Sequence, residues 1–300
     1  MKKLLFGIVA AFLVLALVEG ILRLANYRGD PAVMDFRLRV HGELFGEPDS
    51  VRFWRLPKVA PNFRDDTARM VCVSDSVTVM EQGRGWPDRL PSNLMERDYL
   101  KPVQVFNGGV PGYTSHQGRL YLETELLDWD PHLVMIQFGW NDHWESLTGV
   151  PDSQIKLPDP ATLAWQKRLA QLRLYRLIRT LIVETPTPNG TPRVSLQEFR
   201  TNLKRMIERV RAQQGKVLLV TAPYLDGDWG WLATHKRYNE AIRAVAAEMN
   251  VALVDPVPLF LDRRDFFFWP DTDAAHFNAK GAVVIAGAVA DKIVAEKLLP

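Results

Sequence analysis

Four short polar clusters in this chain have the residue types that acyl transfer needs. The first is Ser74-Asp75-Ser76-Val77-Thr78, and the second is Asn107-Gly108-Gly109-Val110-Pro111-Gly112. The third is Gly139-Trp140-Asn141-Asp142. The fourth is Asp273-Ala274-Ala275-His276, with Asn278 and Gly281 just beyond it. A serine hydroxyl attacks a carbonyl only when an adjacent base takes its proton. His276 offers such a base near neutral pH, and a carboxylate beside it fixes the tautomer and steadies the imidazolium. Asp273 stands three residues before His276, so one turn of chain can present both side chains together. Asp271 is a rival carboxylate at the less direct spacing of five. A metal site on Asp271, Asp273 and His276 would need further ligands that the sequence does not identify.

Such clusters work only if regular elements hold them. Apolar runs at Met70–Val73, Val103–Phe106, Leu133–Phe138, Val217–Val220 and Ala252–Val254 read as strands. Between and after them, Trp86–Arg97, Ser115–Leu127, Ala161–Val183, Ser195–Gln214, Trp231–Met249 and Asn278–Lys297 carry helical patterns. Short apolar strands separated by long amphipathic helices predict an α/β domain, a parallel sheet of about five strands covered on both faces. In such sheets ligands bind at the carboxyl ends of the strands. Each of the first three clusters follows a strand, and the fourth precedes the last helix. Alone, Ser76 reads as a helix cap and Asn141 or Asp142 as a turn residue; the agreement of four clusters favours a site. The Gly-x-Ser-x-Gly elbow is absent around Ser76, which argues against the α/β-hydrolase fold.

Together the clusters resemble, in order, the four sequence blocks of the SGNH (GDSL-like) hydrolases. The likeness runs from about Asn62 to Leu299 and takes in Tyr238-Asn239 and Asp255. It implies a three-layer α/β/α sandwich of the flavodoxin-like kind and a serine esterase that forms an acyl-enzyme, without cofactor or metal. The resemblance assigns Ser76, Asp273 and His276 to a catalytic triad. It assigns the oxyanion donors to the backbone N–H of Ser76, the backbone N–H of Gly109 and the side-chain amide of Asn141. Ser74 departs from the pattern, because the family has glycine there; a position needing positive φ would strain a serine.

The N-terminus sets the compartment. Lys2 and Lys3 precede an apolar stretch that reaches Ala25, 22 residues from Leu4. That is roughly 33 Å of helix, enough to cross a bilayer. Val18-Glu19-Gly20 makes a poor cleavage site, so the reading is an uncleaved anchor with its N-terminus inside. The expected organisation is an anchor over 1–25, a connector over 26–65 and a hydrolase domain over 66–300. That domain carries an insertion at about 145–191, where Lys167 to Arg179 reads as a solvated or membrane-facing helix face.

A net charge of +2 gives no reason to expect nucleic acid as partner. The lone Cys72 excludes an intramolecular disulfide and reads as a buried thiol. The expected substrates are O-acetyl or short acyl esters on envelope or extracellular carbohydrate, with lipid esters as an alternative. Two other readings use the same fold: an O-acetyltransferase, and a silent carbohydrate-binding protein. His143, Trp144, Tyr113 and the aromatics Phe266 to Trp269 are candidate pocket linings; His132 lies at the wrong end of its strand.

Overall fold

A strand buried on both faces can be apolar throughout, and the five apolar runs do form one central sheet. The computed structural model describes residues 2–29, 39–40, 43–44, 46–57, 60–79, 85–183 and 188–300. Parts of the expected connector (30–38, 41–42, 45 and 58–59) and of the insertion (184–187) lie outside the described residues.

In chain order the elements begin with α1 (Lys2–Leu24) and the short strands β1 (Arg39–Val40), β2 (Glu43–Leu44), β3 (Glu47–Asp49) and β4 (Phe53–Arg55). Next come β5 (Ala68–Ser74), α2 (Leu90–Met95), β6 (Val103–Asn107), α3 (Ser115–Thr124) and β7 (Leu133–Gln137). Then follow α4 (Pro160–Leu169), α5 (Arg173–Ile182), α6 (Leu196–Ala212) and β8 (Lys216–Val220). The chain ends with α7 (Leu232–Met249), β9 (Ala252–Val254), α8 (Val257–Phe260) and α9 (Ala279–Ala295). Contacts divide it into two compact units, Met1–Pro57 with Lys156–Thr187, and Lys58–Ile155 with Pro188–Pro300.

The second unit holds the sheet, with strand order β6-β5-β7-β8-β9 and every pair parallel. The order reverses at β5, so the crevice between β5 and β7 is the switch point where such sheets bind ligands. Ala68, Met70 and Cys72 face a core completed by α9 (Ile285, Val289, Ile293) and α2 (Leu90, Leu94). The alternate residues Val71 and Val73 are also fully buried, as period-two alternation requires. α3, α6 and α7 pack side by side, and α2 packs on α9. Local signals explain the helix starts. Ser195 accepts from Glu198 N at 3.2 Å to cap α6, and Asn278 accepts from Lys280 N at 2.9 Å to cap α9.

Two expected helices are interrupted. Trp86–Arg97 becomes a 3₁₀ turn, Pro87–Arg89, followed by α2 with Pro91 in its first turn. Proline supplies no N–H, so it starts a helix more readily than it continues one. Ala161–Val183 splits into α4 and α5, because Leu172 is extended and the Arg176 Nε donates to the freed Ala170 carbonyl at 2.5 Å.

The first unit contains α1, the antiparallel pairs β1–β2 and β3–β4, and α4 and α5. Among the described residues, α1 is the one helix long and apolar enough to cross a membrane. α5 packs against it, and α4 packs against β3.

Candidate active site

β5 ends at the buried Ser74 and the chain turns at once into a single 3₁₀ turn, Ser76–Thr78. Asp75 fixes that turn by accepting from Val77 N at 3.1 Å. The end of β6 is laced to it: Gly108 N donates to Cys72 O at 2.8 Å and Val110 N to Ser74 O at 3.0 Å. Asn107 adds a side-chain clamp. Its Nδ2 donates to Thr78 O at 2.6 Å and to Asp88 Oδ2 at 3.0 Å, and its Oδ1 accepts from Gly109 N at 3.1 Å. In the sequence Asn107 is marked only as one member of a polar cluster. Its position as the last residue of a strand before Gly108-Gly109 was the available signal.

Ser76 and His276 lie 200 positions apart in the chain, yet Ser76 Oγ is 2.8 Å from His276 Nε2. On the other side of the ring, His276 Nδ1 lies 2.6 Å from Asp273 Oδ2. Asp273 Oδ1 accepts from Ala275 N at 2.7 Å and His276 N at 3.1 Å, so the loop holds its own carboxylate in place. Burial would raise the Asp273 carboxyl, but the hydrogen bond and charge of His276 and these two amides outweigh it. The group stays below the usual carboxylate range. An ionised carboxylate can only accept, so the ring proton belongs on Nδ1 and the Nε2 lone pair faces the serine. Asp271 is turned away: it is exposed and paired with Arg264. Among the described residues no three His, Cys, Asp or Glu side chains group so as to hold a metal ion.

Asn141, in the loop four residues beyond β7, donates from Nδ2 to Tyr113 O at 3.0 Å and to Asp75 Oδ2 at 3.3 Å. Both expected side-chain and glycine donors therefore already have partners, Asn141 on Asp75 and Tyr113, Gly109 on Asn107. Asp142, read as a turn residue, is fully buried and accepts from Ser115 N at 2.8 Å and Gly139 N at 3.1 Å. Burial pushes the Asp75 carboxyl up to about 6 and that of Asp142 up to about 7. Asp75 would stand higher without the Val77 amide, the charge of His276 and the Asn141 amide.

An aromatic wall flanks this corner. Trp140 stacks on His235 with ring centroids 3.8 Å apart, and Trp231 meets Trp140 edge-on at 5.1 Å. Burial drops His143 to about 4 and His235 to about 3, so both are neutral rings at neutral pH. His235 was not singled out in the sequence; it stands four residues before Asn239, on the same helical face. Asn239 and His235 both bind the Ala222 backbone just after β8. Asp255 is held by Arg243 and Thr221. Tyr113 is buried, whereas Trp144 is well exposed. Phe266 and Phe267 pack on Phe260 in the core, while Trp269 reaches solvent. His132 accepts from Arg69 N at the opposite end of the sheet.

Ser74 does not adopt a positive φ. It is a regular strand residue opposite Gln137. The cost lies elsewhere, because its hydroxyl is buried without a hydrogen-bond partner. An unsatisfied buried hydroxyl costs about 1–3 kcal/mol. Ser74→Ala is therefore expected to raise stability by about 1 kcal/mol in urea titrations and to leave turnover intact. A loss of stability would mean that the hydroxyl has a partner after all.

A family model described as GDSL-like lipase/acylhydrolase matches residues 73–284. The chain is similar to the "Uncharacterized lipoprotein YqeF" of Bacillus subtilis (strain 168). Identity is 25% over 228 aligned residues, covering 62% of this chain and 77% of that protein. Among solved structures it is similar to Axe2, an acetylxylan esterase from Geobacillus stearothermophilus, with a TM-score of 0.53 and 18% identity. That match covers 75% of this chain and 94% of Axe2. It is also similar to the acetyl xylan esterase AlAXEase, with a TM-score of 0.51 and 19% identity, over 76% of this chain and 98% of that one. At these identities the structural likeness is one of fold.

Proposed function

The chain belongs to the GDSL-like lipase/acylhydrolase family and is an ester hydrolase; from that premise we propose that it cleaves short acyl esters through Ser76, His276 and Asp273. The observation that carries this reading is the continuous relay from Ser76 Oγ through the His276 ring to Asp273, with contacts of 2.8 and 2.6 Å. Ser76 Oγ attacks the ester carbonyl while His276 Nε2 takes its proton, and Asp273 stabilises the imidazolium. His276 then gives the proton to the departing alkoxide, leaving an acyl-Ser76 ester. Water, deprotonated by the same Nε2, releases the acid and restores the serine.

The developing oxyanion is assigned to Ser76 N, Gly109 N and Asn141 Nδ2. The 3.3 Å bond from Asn141 to Asp75 is longer than its 3.0 Å bond to Tyr113 O and is the one more readily traded for a bond to the oxyanion. Losing one such donor commonly costs about 3–4 kcal/mol of barrier.

The proposed substrates are O-acetyl or other short acyl esters on envelope or extracellular carbohydrate. The acetyl xylan esterases among the similar structures exemplify this chemistry. The anchor supports an extracytoplasmic setting: α1 opens with Lys2 and Lys3 ahead of its apolar run, an arrangement that leaves the N-terminus inside and sends the rest across. The relative named a lipoprotein fits a membrane-attached chain, but thioether lipidation needs a cysteine. Here the only one, Cys72, is buried in β5. A reporter fused near Gly42 tests this topology, and activity confined to the cytoplasm would refute it.

The full chain in detergent should hydrolyse p-nitrophenyl acetate and butyrate faster than the octanoate, and should release acetate from acetylated oligosaccharide. Turnover restricted to the octanoate would replace carbohydrate esters with lipid esters.

A further inference from the structure

The first unit contains an amphipathic helix that is fastened to the end of the anchor and whose later apolar residues, Ile178, Leu181 and Ile182, are exposed among the described residues. In α5, Leu174, Leu177, Ile178 and Leu181 fall at the i, i+3, i+4, i+7 spacing of a single face, with Ile182 beside them. Arg173, Arg176 and Arg179 occupy the opposite face. No residue of α5 is fully buried; Leu181 is 75% exposed and Ile182 74%. In water that apolar face would be unfavourable. Nearby on α4, Trp165 is 61% exposed beside Lys167 and Arg168.

The fastening sets the depth of this face. Glu19, inside the apolar α1, accepts from Leu174 N at the start of α5 at 2.8 Å and from Arg23 Nε at 2.7 Å. Arg173 Nη1 donates to Tyr27 O, where the chain leaves α1, at 2.7 Å. Glu19 precedes the end of α1, Leu24, by five residues, about 7.5 Å along the axis. An interfacial helix buries its apolar face roughly 5–10 Å into the boundary between headgroups and acyl chains. A helix bolted at this level must meet that boundary wherever α1 spans the bilayer. Lys167, Arg168 and the Arg face would then lie toward anionic headgroups.

We propose that α5 is an in-plane interfacial helix whose Leu174–Ile182 face inserts into the outer leaflet of the membrane that α1 crosses. The proposal rests on the anchor reading above and adds a second contact. It makes lipid, not solvent or a second copy, the occupant of this face.

The test uses the full chain in vesicles of phosphatidylcholine with phosphatidylglycerol. Cys72 is buried, so an environment-sensitive fluorophore can be placed at Leu181→Cys and, separately, at Phe12→Cys in the middle of α1. The label at 181 should be quenched several-fold more by lipids carrying a shallow doxyl group than by aqueous iodide. With the label at Ile178→Cys, the added pair Leu181→Glu and Ile182→Glu should reverse that preference. Free access of iodide to position 181 while position 12 remains lipid-quenched would overturn this proposal alone. Access of iodide to both positions would overturn the anchor as well. A label at 181 shielded from both quenchers would mean that protein covers the face, and would also overturn it.

Discussion

Ser76→Ala should reduce turnover of p-nitrophenyl acetate by at least about 10³-fold, and His276→Ala should do nearly the same. The serine hydroxyl lies 2.8 Å from the His276 ring nitrogen, and its removal leaves the ester with no activated nucleophile. The double variant should be scarcely worse than either single one, because groups that act as a unit lose their effect together. Neither change should unfold the protein, since both side chains are only partly buried and close no core contact. Unfolding free energies from urea titration within about 0.5 kcal/mol of the parent are therefore the companion observation. Additive losses in the double variant would mean that the two residues act in separate steps.

The second large effect is expected at Gly109. A Cβ there would lie 2.0 Å from Thr78 Oγ1, 2.8 Å from the Asp75 carbonyl oxygen and 3.0 Å from a Val79 methyl. All three neighbours belong to the turn that carries Ser76 or to its caps, Asp75 and Val79, so the turn must move. Gly109→Ala should cost roughly 1–3 kcal/mol of stability through overpacking. It should also lower kcat by about 100-fold, because a shift of about 1 Å misaligns nucleophile and oxyanion donors. Thr78→Ala removes the closest of the three contacts. Added to Gly109→Ala it should recover part of both losses, while the Asp75 carbonyl keeps the recovery incomplete. No recovery at all would place the damage in the Gly109 amide itself, not in the turn.

The parallel sheet was readable because its inner strands are buried on both faces, which leaves uninterrupted runs such as Met70–Val73 between long amphipathic helices. The polar clusters were readable for the same reason: where an apolar run stops at Ser74 or Gln137, the following residues leave the sheet at its carboxyl end. Contacts made across long separations were not readable. Nothing local announces that Leu174 N will be taken by Glu19, and hence that residues 156–187 join the N-terminal segment in one compact unit. The partners of Asn141 were equally hidden, because an amide that can serve an oxyanion can also serve Asp75 and the Tyr113 carbonyl. At Ser74 the sequence raised the right position and the wrong cost. A family comparison suggests backbone strain, whereas the strand geometry is ordinary and the burden is a buried hydroxyl. The break at Leu172 escaped because propensity favours helix through the whole stretch, whereas in the fold Leu174 N is taken by Glu19 of α1 just beyond the break.

Covalent trapping tests the central claim most directly. The full chain, treated with a fluorophosphonate and digested, should give one modified peptide, the one containing Ser76. Labelling should be absent in Ser76→Ala and slowed by orders of magnitude in His276→Ala. An adduct on another residue, or ester hydrolysis that survives in Ser76→Ala at the parent rate, would contradict the account.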